Sequence, residues 1–237
     1  MDRQHRHDLK HDKFIDEIGD LSQRARANQR LLYTIAGAAI AIAILIYGIF
    51  FYRSAQERKA QQKLATAIQT IEAPLQAAEG QPPVPNAKFK TETERATAAE
   101  KQFRDVMAQH SGTDASSVAS LYVARIDAGN GKVDSARALL TEFVDDHPDS
   151  LLVGSARFSL YQLRLEGSEA PQVITELNAE LAKDEPVLPA DSLLALLGHA
   201  YDVQNESEKA RDSYRRIITE HPDSPFVLEA QRRVGQQ

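Results

Sequence analysis

A chain of 237 residues with a net charge of −6 and no cysteine argues against several classes of protein. An acidic chain lacks the basic face that nucleic-acid phosphates require. Without thiols it forms no disulfide, no thiolate metal site and no cysteine nucleophile.

Residues 1–30 form a charged head with seven Lys or Arg against six Asp or Glu. Phe14, Ile18 and Leu21 recur in it at helical spacing, with Leu9 and Ile15 nearby. That spacing predicts a short amphipathic helix whose apolar stripe lies on a membrane surface or a partner. His5, His7 and His11 invite a metal site, with His7 and His11 one helical turn apart. The charged sequence around them offers no packed scaffold for ligand geometry, so no metal or other cofactor is expected.

Residues 31–52, LLYTIAGAAIAIAILIYGIFFY, are 22 residues without a charge. At about 1.5 Å per residue they cover roughly 33 Å, enough for a hydrocarbon core of about 30 Å. Their eleven Leu, Ile and Phe residues favour insertion by roughly 3 to 7 kcal/mol. A transmembrane helix is the reading, with Tyr33 and Tyr52 near the headgroups and Arg30 and Arg53 as brackets. The run exceeds the apolar core of a signal peptide and ends in FFYRSAQERK, so an uncleaved anchor is expected. Three basic residues precede the span closely (Arg24, Arg26, Arg30) and four follow it (Arg53, Arg58, Lys59, Lys63). Charge next to the span therefore does not decide orientation; the seven basic residues of the whole head tilt it toward head inside.

Residues 53–93 read as a helical extension followed by a proline-rich loop. Leu64, Ile68, Ile71 and Leu75 keep gaps of four, three and four, which extends the anchor helix outward with an apolar stripe. Pro74 ends it, and Pro82, Pro83 and Pro85 forbid its continuation. A new helix runs from about Thr91 to Gln109, with Ala99, Phe103 and Val106 on one side.

From residue 94 onward the chain repeats itself. His147-Pro148-Asp149-Ser150 recurs 74 residues later as His221-Pro222-Asp223-Ser224, an offset that fits two units of about 37 residues. In the last unit Leu194, Leu197, Gly198, Tyr201, Ala210, Tyr214, Ile217 and Pro222 keep gaps of three, one, three, nine, four, three and five. This resembles the tetratricopeptide repeat, in which small residues let two antiparallel helices cross closely. An earlier unit keeps Val123, Ala124, Ala136, Leu140, Phe143 and Pro148, but Asp127 stands where an aromatic is expected. In the middle unit Tyr161, Ala170, Ile174 and Leu177 fit, while Gly154, Arg157, Phe158 and Ala182 depart. The alanines Ala136, Ala170 and Ala210 mark successive second helices, and the surplus of the last interval lodges in a loop over 183–189. Ala99 marks the second helix of a degenerate first pair whose first helix comes from residues 53–78, tying the solenoid rigidly to the anchor. Pro225 to Gly235 remains for a terminal capping helix.

The expected fold is thus all-α: one N-terminal transmembrane helix followed, over 94–237, by a tetratricopeptide-like α-solenoid of three to four helix pairs. The twice-repeated His-Pro-Asp-Ser offers a base, a carboxylate and a hydroxyl. A motif at one repeat position twice reads instead as a turn, with proline ending one helix and Asp or Ser accepting from the first amides of the next. Asp127-Ala128-Gly129-Asn130-Gly131 reads as a turn between helices. No phosphate-cradling glycine loop, calcium loop or carboxylate pair appears as a pattern, so no catalytic residue and no enzyme is expected. Recognition would fall to the concave face lined by the first helix of each pair, where Tyr122, Arg125, Ser159, Gln162, His199 and Asp202 are placed. The Lys/Asn set that clamps a terminal carboxylate in some such domains is unmatched: the corresponding positions hold Leu121, Tyr122 and Arg125, then Ser155, Ala156 and Ser159.

The head with HDLKHDKF, a single anchor and the C-terminal solenoid together resemble the ancillary SecYEG translocon subunit family of bacterial inner-membrane proteins. That resemblance implies a cytoplasmic head, a periplasmic solenoid, and a scaffold or chaperone-type role among translocon subunits, periplasmic chaperones and exported proteins. Gly37 with Ala41, and Ala39 with Ala43, are small pairs that admit helix contact in the bilayer. The alternative is an envelope-organising protein of cell division or outer-membrane assembly that acts mainly as a homo-oligomer.

Overall fold

A computed structural model of the chain describes residues 29–78 and 80–236. The head stripe of Phe14, Ile18 and Leu21 and the histidines His5, His7 and His11 lie outside the described residues. Contacts divide the chain between Gln56 and Glu57 into two units, and each is taken by itself.

Helix α1 spans Gln29–Ile71. Its part up to Gln56 carries the uncharged run, and Ile44, Tyr47, Phe50 and Tyr52 are each more than 60% exposed. A soluble protein buries such side chains, so a bare apolar rod of this length matches a lipid surrounding. Length and composition qualify this one helix, among the described residues, to cross a membrane.

The second unit is a stack of helix pairs. The end of α1 pairs with α2 (Glu92–Gln109). Next come α3 (Asp114–Gly129) with α4 (Val133–Asp146), and α5 (Val153–Glu166) with α6 (Ala170–Leu181). Then α7 (Ala190–Val203) pairs with α8 (Ser207–Glu220), and α9 (Val227–Gln236) closes the stack. No strand forms among the described residues; an isolated bridge between Leu75 and Phe89 fastens the two ends of the proline-rich loop.

The sequence spacing explains where the core sits. Ala99, Ala136, Ala170 and Ala210 are all fully buried, one in each second helix. Gly198 is the tightest crossing: a Cβ there would meet the Tyr214 ring at 2.5 Å, closer than atoms can approach, so only glycine lets α7 and α8 pack. The surplus between Ala170 and Ala210 lies in the connection from α6 to α7, as its proline content demands. The first pair is real as well: Ala60, Leu64 and Ala67 of α1 share a buried cluster with Phe103 and Val106 of α2. Thr70 donates its hydroxyl to Gln102 at 3.0 Å, and Arg95 donates to the Ala73 carbonyl at 2.9 Å.

The junctions repeat bond for bond. The Ser150 hydroxyl accepts from the Leu152 N–H at 3.2 Å, and the Ser224 hydroxyl accepts from Phe226 at 3.1 Å. His-Pro-Asp-Ser is therefore a turn in both places, with serine as the accepting residue. Between α3 and α4 the chain reverses at Gly131 (φ 75°), and between α7 and α8 at Asn205 (φ 59°). Both are left-handed positions that Gly and Asn tolerate.

Candidate functional site

Helices α5 and α7 pack along each other. Helices α3 and α5 instead stand apart and flank an open cleft of about 700 Å³. Leu121, Ala124 and Ala128 line it from α3, Leu140 from α4, Ala156 and Leu163 from α5, and Leu152 from the residue just before α5. Its polar groups are Tyr122, Arg125, Ser155, Ser159, Gln162 and Glu166. The small alanines leave the space, and the leucines make its walls apolar. A mostly apolar concavity with a few polar groups is the usual form of a binding site.

Four of the residues placed on this face from the sequence, Tyr122, Arg125, Ser159 and Gln162, line the cleft. Tyr122 is held from behind by Phe103 of α2, whose ring stacks on it at 4.6 Å and 9°. Arg125 is exposed, and no ion pair engages it among the described residues. Gln162 also borders a second, smaller hollow of about 220 Å³, where His199 lies with Glu229 and Arg233. Asp202 is engaged within the chain: it accepts from the Tyr214 hydroxyl at 3.0 Å and pairs with Arg233 at 3.5 Å. Burial, with Asp202 alongside, pushes the Tyr214 phenol well up, so it stays a neutral donor at this contact.

Helix α9 bounds that second hollow, and Phe226 at its start stacks on Phe158 of α5 with centroids 5.7 Å apart. The chain's own terminal helix therefore fills the face beside α7, and the open part is the α3–α5 cleft. Phe158 broke the repeat pattern in the sequence; stacking against Phe226 accounts for an aromatic there.

Asp127 is the residue whose role the spacing missed. It is fully buried and accepts from Arg104 at 2.8 and 3.0 Å, Lys132 at 3.1 Å and Ser135 at 2.7 Å. Burial works to push its pKa up, but the bonds from Ser135, Lys132 and Arg104 hold it below the ordinary carboxylate value. It replaces the expected aromatic with a charged hub joining α2, α3 and α4. Glu169 is a comparable junction one pair further on, accepting from Arg137 and, at 2.9 Å, from Arg164. These carboxylates spend their charge on bracing the stack, not on a reacting group. Ser117 and His147 share a 2.7 Å hydrogen bond, which ties α3 to the end of α4.

No group of three or more His, Asp or Glu side chains, among the described residues, is placed to hold a metal ion. What the geometry defines is an α-solenoid of helix pairs with an apolar cleft on the face of its first helices. The family pattern described as Tetratricopeptide repeat-like domain matches residues 29–230, and the chain belongs to that family. Such domains are typically protein-interaction scaffolds without catalytic activity. No curated protein matches the chain. Among solved structures, a crystal structure of nearly identical TPR-like repeats assigned to a kinesin light chain of Podospora anserina is similar at 13% identity. The likeness covers 75% of this chain and 84% of that one, with a TM-score of 0.49.

Proposed function

We propose that this protein is a single-span scaffold of the bacterial inner membrane that holds other polypeptides through its solenoid. Residues 1–30 form a cytoplasmic head, 31–52 the span, 53–93 the helical extension with its loop, and 94–237 a periplasmic repeat domain. Its partners are translocon subunits, periplasmic chaperones or newly exported proteins, which it handles as a chaperone-type module beside the Sec translocon. The observation that carries the reading is the open α3–α5 cleft, in a chain that also has a helix whose apolar stretch is bare. The resemblance of the HDLKHDKF head, single anchor and C-terminal solenoid to the ancillary SecYEG subunits supports the side of the membrane and the translocon setting.

A reporter fused after Gln237 and active only outside the cytoplasm tests the topology. Activity supports the periplasmic solenoid; activity of a cytoplasm-specific reporter instead overturns both that placement and the translocon setting. Crosslinking then tests the partner class. Adducts with translocon subunits support the reading, while adducts of the chain with itself alone favour an envelope-organising homo-oligomer.

A further inference from the structure

Several arginines of the repeat domain have ion-pair partners within it. Arg104 pairs with Glu100 and Asp127, Arg164 with Glu169 and Glu176, Arg216 with Glu220, and Arg233 with Glu229 and Asp202. Two charges at the cleft stand outside these pairs. Arg125 on α3 and Glu166 on α5 both line it, both are exposed, and neither makes an ion pair among the described residues. Each lies in the last turns of its own helix, so they mark one end of the cleft with opposite signs on opposite walls. Toward the other end, Val118, Leu121 and Leu152 form an apolar patch that runs on to Leu151, which is wholly exposed.

We infer that the cleft takes a polypeptide segment in which bulky apolar residues stand beside an acidic one, and that Arg125 receives the acid. The apolar side chains of the segment fill the space between Leu121, Leu140, Leu152 and Leu163, where leaving water is favourable. The segment's carboxylate meets Arg125, whose planar fork suits it and which has no ion-pair partner among the described residues. Glu166 repels an acid from the α5 wall, and so sets the direction in which the segment lies. This rests on the protein-holding reading above and specifies the chemistry of what is held.

The test uses the full chain in lipid nanodiscs and short fluorescent peptides read by anisotropy. One peptide carries Leu and Phe around a central Glu; a second replaces Glu by Lys; a third keeps Glu but replaces the apolar residues by Ser. The unaltered protein is expected to bind the Glu peptide about fivefold more tightly than the Lys peptide, the scale of one exposed ion pair. It should bind the Ser peptide far more weakly than either. Arg125→Glu, a change at an exposed side chain with no ion-pair partner among the described residues, should reverse the order of the first two. Equal preference in the unaltered protein and the Arg125→Glu variant overturns the inference, and so does tight binding of the Ser peptide. If none of the peptides binds a folded chain saturably, the protein-holding reading falls and takes this inference with it.

Discussion

Asp127 shows how one side chain can be both a break in a pattern and a support of the fold. Its carboxylate is buried and accepts from Arg104, Lys132 and Ser135, so removing it takes away the shared acceptor of three donors, although Arg104 and Lys132 keep Glu100 and reach solvent. Asp127→Ala is expected to destabilise the repeat domain by about 1 to 3 kcal/mol, the scale of lost hydrogen bonds to a charged group, measured by thermal unfolding of the detergent-solubilised chain. The pH dependence follows from the lowered pKa. A carboxylate whose folded value lies below its ordinary one stabilises fully above the ordinary value, here 3.8, and loses that contribution as pH falls through the folded value. The acid limb of stability below about pH 4 should therefore be shallower in Asp127→Asn than in the unaltered chain. Gly198 acts through absence. Gly198→Ala forces a methyl group into the Tyr214 ring and should cost about 1 to 3 kcal/mol. Pairing it with Tyr214→Leu should cost less than the sum of the two single changes, because the collision is then gone.

Among whole elements, local chemistry and distant contacts divide what could be read from the sequence. The second helices were legible because Ala99, Ala136, Ala170 and Ala210 recur at repeat spacing, and all four are buried where pairs cross. The His-Pro-Asp-Ser turns were legible because proline and serine act on their immediate neighbours. Ser150→Ala and Ser224→Ala should each cost about 0.5 to 1 kcal/mol. The two sites lie two repeats apart, so the double variant should show the sum. Other features left no such trace. Glu57 on α1 accepts the N–H groups of Asp114 at 2.9 Å and Ala115 at 3.2 Å, which caps α3 across more than fifty residues. Nothing in the spacing of α1 announces that, since the partner is fixed only by the fold. Glu57→Ala should cost about 1 kcal/mol and loosen the start of α3, seen as faster amide exchange there. The cleft belongs with these. Tyr122, Arg125, Ser159 and Gln162 could be placed on a face by counting turns, but the gap between α3 and α5 depends on how pairs stack. Beside His199 and Asp202 the last helix, α9, contributes Arg233, a contact that spacing does not announce.

The molecule as a whole joins an apolar helix suited to lipid with a stack of helix pairs whose cleft is open, and it belongs to the tetratricopeptide repeat-like domain family. Stacked pairs bury a continuous core without disulfides, which fits a chain with no cysteine. Stability in such a stack is spread over many junctions. That leaves the cleft walls free to be chosen for recognition. The most direct measurement of the central claim is site-specific photocrosslinking in membranes of living cells. A photoreactive side chain is placed either at Ser159, inside the cleft, or at Thr141, on the exposed outward face of α4. Adducts with other polypeptides from Ser159 and few from Thr141, all in the membrane fraction, are the predicted result. Equal adducts from both positions, or none from Ser159 in a chain that stays membrane-bound, would contradict it.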